Sequence, residues 1–182
     1  MVMESHKELM RSYLCESLRE LMVRSLFEKI TIKQICDRAG VIRATFYNYF
    51  DDKYDCLGSI VRQDIGTLAE DEDIESFIRR VLQTIEENRD FYKAAYQVTG
   101  QNSFEEMVRS SLAEFLNAYL DKRRKESLLP RYSNDLLSRY YSECIAFDIR
   151  EFVFHEEQMQ GVEGMTRMVI DLMHTSLVDL LR

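Results

Sequence analysis

The chain has 182 residues, 46% of them hydrophobic and 31% charged, enough apolar material to bury a core in one domain or two closely packed ones, and too much for a disordered chain. Six Gly and one Pro are too few turn formers for many short strands, whereas Leu, Glu, Arg, Met and Lys are plentiful, so the expected fold is all-α. The net charge of −8 is uneven, with residues 1–53 at net +1 and the remainder at net −9, so a broad basic coat is excluded, while the amino-terminal part can still hold phosphate if its cations share a face.

A first helix is expected from about Glu8 to Arg24, where Met10, Leu14, Leu18, Leu21 and Met22 recur at three- and four-residue steps. Thr31-Ile-Lys-Gln34 has the form of a capping box, and Ile32, Ile35, Cys36 and Ala39 follow at one-face spacing. Gly40 comes directly after, where a left-handed residue ends a helix cheaply. A short third helix, Arg43 to Tyr49, turns Phe46 and Phe50 inward. Asp51-Asp52 then caps a fourth, Lys53 to about Ala69, marked by Leu57, Ile60, Val61 and Leu68. Past the acidic stretch Glu70–Asp73, helices are expected at Ile74–Glu87, Asp90–Val98, Ser103–Lys125, Asn134–His155 and Glu163–Leu181, with a loop around Pro130. This predicts an amino-terminal head, residues 1–53, joined by the fourth helix to a helical body, residues 54–182.

Cys15, Cys36, Cys56 and Cys144 are far apart, include no CxxC pair and fall in helical stretches, which predicts reduced thiols in a cytoplasmic protein. The start has no apolar segment of signal-peptide length, and no run of eighteen apolar residues occurs, so neither export nor a membrane partner is expected.

Two short helices around a tight turn at Gly40 outline a helix-turn-helix with Arg43–Tyr49 as its recognition helix. The run Ile30-Thr-Ile-Lys-Gln-Ile-Cys-Asp-Arg-Ala-Gly-Val-Ile-Arg-Ala-Thr-Phe-Tyr-Asn-Tyr-Phe-Asp-Asp-Lys53 closely resembles the tetracycline-repressor-like (TetR) family. In that family a Thr opens the second helix, Ala-Gly-Val makes the turn, and Thr-Phe/Leu-Tyr-x-Tyr/His-Phe leads to a Lys at the start of the fourth helix. The resemblance spans about Leu9 to Leu57. Two positions depart from it: Ile42 stands where Ser or Thr often caps the third helix, and Ala44 where Gly is common.

The chemistry of the third helix points the same way. Arg43 can address a guanine edge bidentately, Ala44 or Thr45 can touch a thymine methyl, and Asn48 can bond a base edge or phosphate. The resemblance implies that Thr31, Tyr47, Tyr49 and Lys53 hold phosphates and fix register; Lys33 and Arg38 would add attraction to the DNA backbone. The expected partner is double-stranded operator DNA.

One recognition helix reads few base pairs, so a two-fold homodimer is expected, with half-sites about 34 Å apart or a multiple of it. The resemblance implies that the last two helices form its interface, with Tyr140, Phe152, Met165, Val169, Leu172, His174 and Leu177 as candidates. It also implies a small-molecule effector among central aromatics, for which Phe91, Tyr92, Tyr96, Phe115, Tyr119 and Tyr141 are candidates, although ordinary core packing explains any one of them as well. His155 and His174 lack metal-ligand spacing, and Asp148 and Glu151 beside Arg150 are expected on an exposed ion-pairing face. With no nucleophile and base pair and no phosphate loop, neither an enzyme nor a cofactor is expected. The reading is a sequence-specific regulator, a repressor if it occludes a promoter; the alternative on the same fold is a co-regulator that binds protein rather than DNA.

Overall fold

The computed structural model describes residues 2–66, 72–123 and 132–175. Helices α1 (Val2–Arg24), α2 (Ile32–Ala39), α3 (Arg43–Tyr47), α4 (Lys53–Ile65), α5 (Ile74–Glu87), α6 (Arg89–Ala95), α7 (Phe104–Arg123), α8 (Asn134–Met159) and α9 (Gly161–His174) follow in order, with one 3₁₀ turn at Phe27–Lys29. There is no strand among the described residues, and the chain is all-α. None of these helices is long and apolar enough to cross a membrane. The expected loop around Pro130 and the end of the last helix, with Leu177, lie outside the described residues.

Helix starts follow local chemistry. Thr31 accepts from the Gln34 amide at 3.3 Å while its own amide donates to Gln34 Oε1 at 2.8 Å, completing the expected capping box. Asp52 Oδ1 accepts from the amides of Tyr54 at 2.7 Å and Asp55 at 2.9 Å, and Asp73 and Ser133 cap α5 and α8 in the same way. Gly40 closes α2 at φ 70°.

The chain packs as two units. The first is Met1–Gln63 with Asp90–Met107, and the second Asp64–Arg89 with Val108–Arg182. The first therefore takes in most of α4 and the aromatic segment after Arg89, more than the expected 1–53. In it α1 packs on α2 and α2 on α3, around buried Leu14, Leu18, Ile35, Phe46 and Phe50. Phe91, Tyr92, Tyr96 and Phe104 join this unit edge to face, at centroid distances of 5.0–6.4 Å, and Arg19 lies over the Phe91 ring at 4.6 Å.

In the second unit α5 packs on α8 and α9, and α8 on α9. Phe77 stacks on Phe115 at 3.8 Å, and Ile145, Ile149, Phe152, Met165 and Val169 are buried. A void of only about 10 Å³ remains among Phe77, Val81, Ile149 and Val169, room for no more than one water.

Helix α8 runs past its expected end at His155, but His155 itself has non-helical φ −130°, ψ 31°, so the helix bends there. A break in the ladder takes the usual partners from carbonyls just before it. Arg89 supplies replacements: Nη1 donates to Phe152 O at 2.7 Å and Val153 O at 3.2 Å, with the guanidinium over the Phe152 ring. The turn into α9 uses two left-handed residues, Gln160 and Gly161. Gly164 follows so closely that a Cβ there would meet the Met159 carbonyl and Gln160 Cβ. Gly164→Ala is expected to lower stability by about 1–3 kcal/mol in chemical denaturation. By contrast Gly58→Ala, whose Cβ would approach the far end of the Arg62 side chain at 3.3 Å and Met107 Sδ at an ordinary 4.0 Å, is expected to leave stability unchanged or raised.

Candidate nucleic-acid interface

Helix α3 is a single turn and a half, held by its inner side. Phe46 and Phe50 are fully buried and tilt against each other at 5.5 Å. With these two turned inward, Arg43, Ala44, Tyr47 and Asn48 are exposed, and Thr45 and Tyr49 half-buried. Arg43 pairs with no carboxylate among the described residues, so its guanidinium fork is available to a ligand. The helix ends at Tyr47 rather than Tyr49, yet the amides of Tyr49 and Phe50 still bond Phe46 O at 2.9 and 3.0 Å and keep the following residues on its axis.

Ile42 is the N-cap of α3 and makes no side-chain cap bond. At 72% exposure it stands beside Arg43 on the open side. Its exposure was not anticipated, although an apolar side chain where a capping hydroxyl is usual is a signal in itself. An exposed Ile here can meet a thymine methyl.

Thr31 remains exposed, but its hydroxyl is committed to Gln34, accepting from the amide and donating to Oε1 at 2.8 Å. Lys33 pairs with Asp37 at 2.9 Å on an exposed face, a bond of small worth that phosphate can displace. Arg38 pairs with Glu20 across the α1–α2 seam.

Lys53 is not on the open face. Its ammonium donates to three carbonyls, Phe27 O at 2.7 Å, Ile30 O at 3.0 Å and Glu28 O at 3.2 Å, and lies 4.5 Å from the centre of the Phe27 ring. All three N–H groups are thereby used, and none remains for a phosphate. Burial lowers its pKa, against the pull of Glu28 and Asp52. The reason for the departure is the 3₁₀ turn, whose carbonyls need a donor that sequence spacing does not reveal. Lys53→Met is expected to destabilise the protein by about 2–3 kcal/mol, read from denaturation curves, rather than only to flatten the salt dependence of DNA binding.

The other expected sites are redistributed. Phe91, Tyr92 and Tyr96 belong to the aromatic cluster of the first unit, whereas Phe115 and Tyr119 belong to the second, Tyr119 at 6.0 Å from Phe115. Tyr141 lines an open groove of about 440 Å³ on α8 and α9 together with Tyr140, Cys144, Phe147, Leu172 and Met173. Of the interface candidates, Tyr140, Leu172 and His174 are exposed, but Phe152, Met165 and Val169 are buried inside their own unit. They pack within their own unit, Val169 also lining the floor of the open groove. Phe147, 60% exposed, was missed, although it stands seven residues from both Tyr140 and Phe154, which are also exposed. Asp148 is corrected too: it is buried rather than on an ion-pairing face, and burial, with Glu151 beside it, pushes its pKa up to about 6. Glu151 instead meets His155 Nδ1 at 3.2 Å.

Residues 16–60 match the family of bacterial regulatory proteins of tetR type, and residues 72–174 match a transcriptional regulator C-terminal region of the same family. The chain is 22% identical over 155 residues, 81% of each protein, to the HTH-type dhaKLM operon transcriptional activator DhaS of Lactococcus lactis subsp. lactis (strain IL1403). Its fold is similar to that of a solved dihydroxyacetone kinase operon activator, DhaS, with TM-score 0.65, 20% identity and coverage of 90% of this chain and 93% of that one. A protein of Syntrophomonas wolfei str. Goettingen described as a TetR-family transcriptional regulator also matches at TM-score 0.65, with 18% identity and coverage of 90% and 92%.

Proposed function

The chain belongs to the tetR family of bacterial regulatory proteins, and from that premise we propose that this DNA-binding transcriptional regulator grips a two-fold operator as a homodimer. The observation that carries the reading is the open side of α3, where Arg43, Ala44, Tyr47 and Asn48 are exposed over a buried Phe46–Phe50 anchor. Arg43 reads a guanine edge, Ile42, Ala44 and Thr45 form an apolar contact for thymine methyls, and Asn48 bonds a base edge or phosphate. Tyr47 and Tyr49, with Lys33 and the amino-terminal turn of α2 at Thr31, hold the phosphate backbone and set register.

The experiment is binding to a duplex from upstream of the protein's own gene across a salt series, with a scrambled duplex as control. Specific binding with a steep salt slope is expected; equal affinity for both duplexes would favour a protein-binding co-regulator. Arg43→Ala is expected to cost about 1–3 kcal/mol and to relax preference at one base position, read by competition with singly altered duplexes. An unchanged preference removes that role from Arg43.

The second copy docks on the exposed stripe Leu136, Tyr140, Phe147 and Phe154 of α8 with Leu172 of α9, an apolar surface that a monomer would leave in water. Phe147→Arg is expected to shift the protein to monomer in sedimentation and to weaken operator binding, with helicity unchanged because the side chain is already outside the core. The sign of regulation follows from where the operator lies relative to the promoter: occlusion represses, while the L. lactis relative is named an activator.

A further inference from the structure

We infer that the copies of the proposed homodimer lay α8 against α8 in antiparallel sense about Phe147, with Glu143 of each copy paired to Arg150 of the other, and that these two ion pairs restrict the partner to a second copy of this chain. The inference rests on the homodimer reading and adds to it the direction and the recognition of the mate. Tyr140, Phe147 and Phe154 are exposed and seven residues apart within α8, before its bend at His155, so they lie along one line with Phe147 midway. A two-fold at Phe147 that sets the helices antiparallel holds position 140 level with 154 of the second copy, and Phe147 level with itself. Each ring of one copy then meets a ring of the other.

Glu143 and Arg150 flank this line on one side, and both are exposed. They too are seven residues apart, which carries a helix through almost two whole turns and returns them to the same flank, about 10.5 Å apart along the axis. At that separation salt largely screens exposed charges from each other, so the two are not a pair within one chain. Arg150 meets no carboxylate among the described residues. Glu143 holds Arg109 Nη1 by one oxygen at 3.5 Å, yet its side chain stays 64% exposed. Such a surface contact is of small worth and leaves the carboxylate open to a second cation.

The same two-fold holds position 143 level with 151 of the second copy, and 150 level with 144. Glu143 and Arg150 of the second copy are therefore one residue from the same level, about 1.5 Å along the axis, well within the reach of an arginine side chain. An antiparallel two-fold also sets like flanks together, so Glu143 faces the flank of Arg150. Glu151 lies across the ring line and meets His155 Nδ1 at 3.2 Å. Symmetry makes the pair twice. A parallel two-fold instead holds each residue level with its own copy, so Glu143 is never level with Arg150 and no such pair forms. The order of charges thus selects the antiparallel sense, and a helix with matching rings but without that order is refused by like charge or by an unmet one.

The test uses full chains carrying Arg150→Glu or Glu143→Arg, both at exposed positions. Sedimentation reads association, and native mass spectrometry with one variant isotope-labelled reads which copies pair. Each variant alone sets like charges together at both contacts, and its dimer is expected to dissociate about tenfold more readily than that of the unaltered chain. An equimolar mixture places Glu against Arg at both contacts and is expected to return to dimer, chiefly heterodimer. The chain with both substitutions is expected to dimerise as the unaltered one does. A mixture that stays monomeric or pairs in statistical proportion overturns the antiparallel pairing, as does unchanged association of either variant. An unaltered chain that is itself monomeric overturns the homodimer reading and this pairing with it, so the two failures are read apart.

Discussion

The head is organised around one ammonium group. Lys53 gathers the carbonyls of Phe27, Glu28 and Ile30, which joins the exit from α1, the entry to α2 and the first residue of α4 at one point. Taking an ammonium even partly out of water is costly unless its N–H groups find acceptors, and here all three do. The three helices that frame α3 are therefore fixed from behind. What α3 still needs is an inward anchor, and Phe46 and Phe50 provide it, leaving the polar flank no direction but outward.

Features written in adjacent residues were legible in advance. Thr31 with Gln34, Gly40 and Asp52 all act within four positions of themselves, so sequence spacing determines their geometry. The outward set on α3 was legible for the same reason, since two phenylalanines one turn apart define its opposite side. Lys53 was not, because its partners lie 23 to 26 residues earlier and belong to a 3₁₀ turn with no distinct signature. In α8 and α9 apolar residues surround much of the helix, so composition could not say which of them face their own chain. Phe152, Met165 and Val169 face inward, while Tyr140 and Phe147 face out. The central aromatics show a similar limit: Phe91, Tyr92 and Phe115 are buried and Tyr96, Tyr119 and Tyr141 half-buried, a division that residue type did not predict.

Two polar side chains of the second unit contrast with each other. Arg89 is inserted where the α8 ladder breaks and takes two carbonyls. Asp148 has no comparable cation among the described residues, and its raised pKa expresses the desolvation that goes unrelieved. It lines the groove beside Tyr140 and Phe147.

The bend at His155 bears on how two such surfaces would align in the proposed homodimer. Tyr140, Phe147 and Phe154 repeat every seven residues, and on a straight rod that periodicity would let a mate slide by one repeat and still match ring against ring. Because the axis changes course one residue after Phe154, displaced alignments would lose contact at that end. A discontinuity in α8 thus removes the translational degeneracy that evenly spaced rings would otherwise permit, and in the proposed homodimer would favour one registration of the two chains over its neighbours.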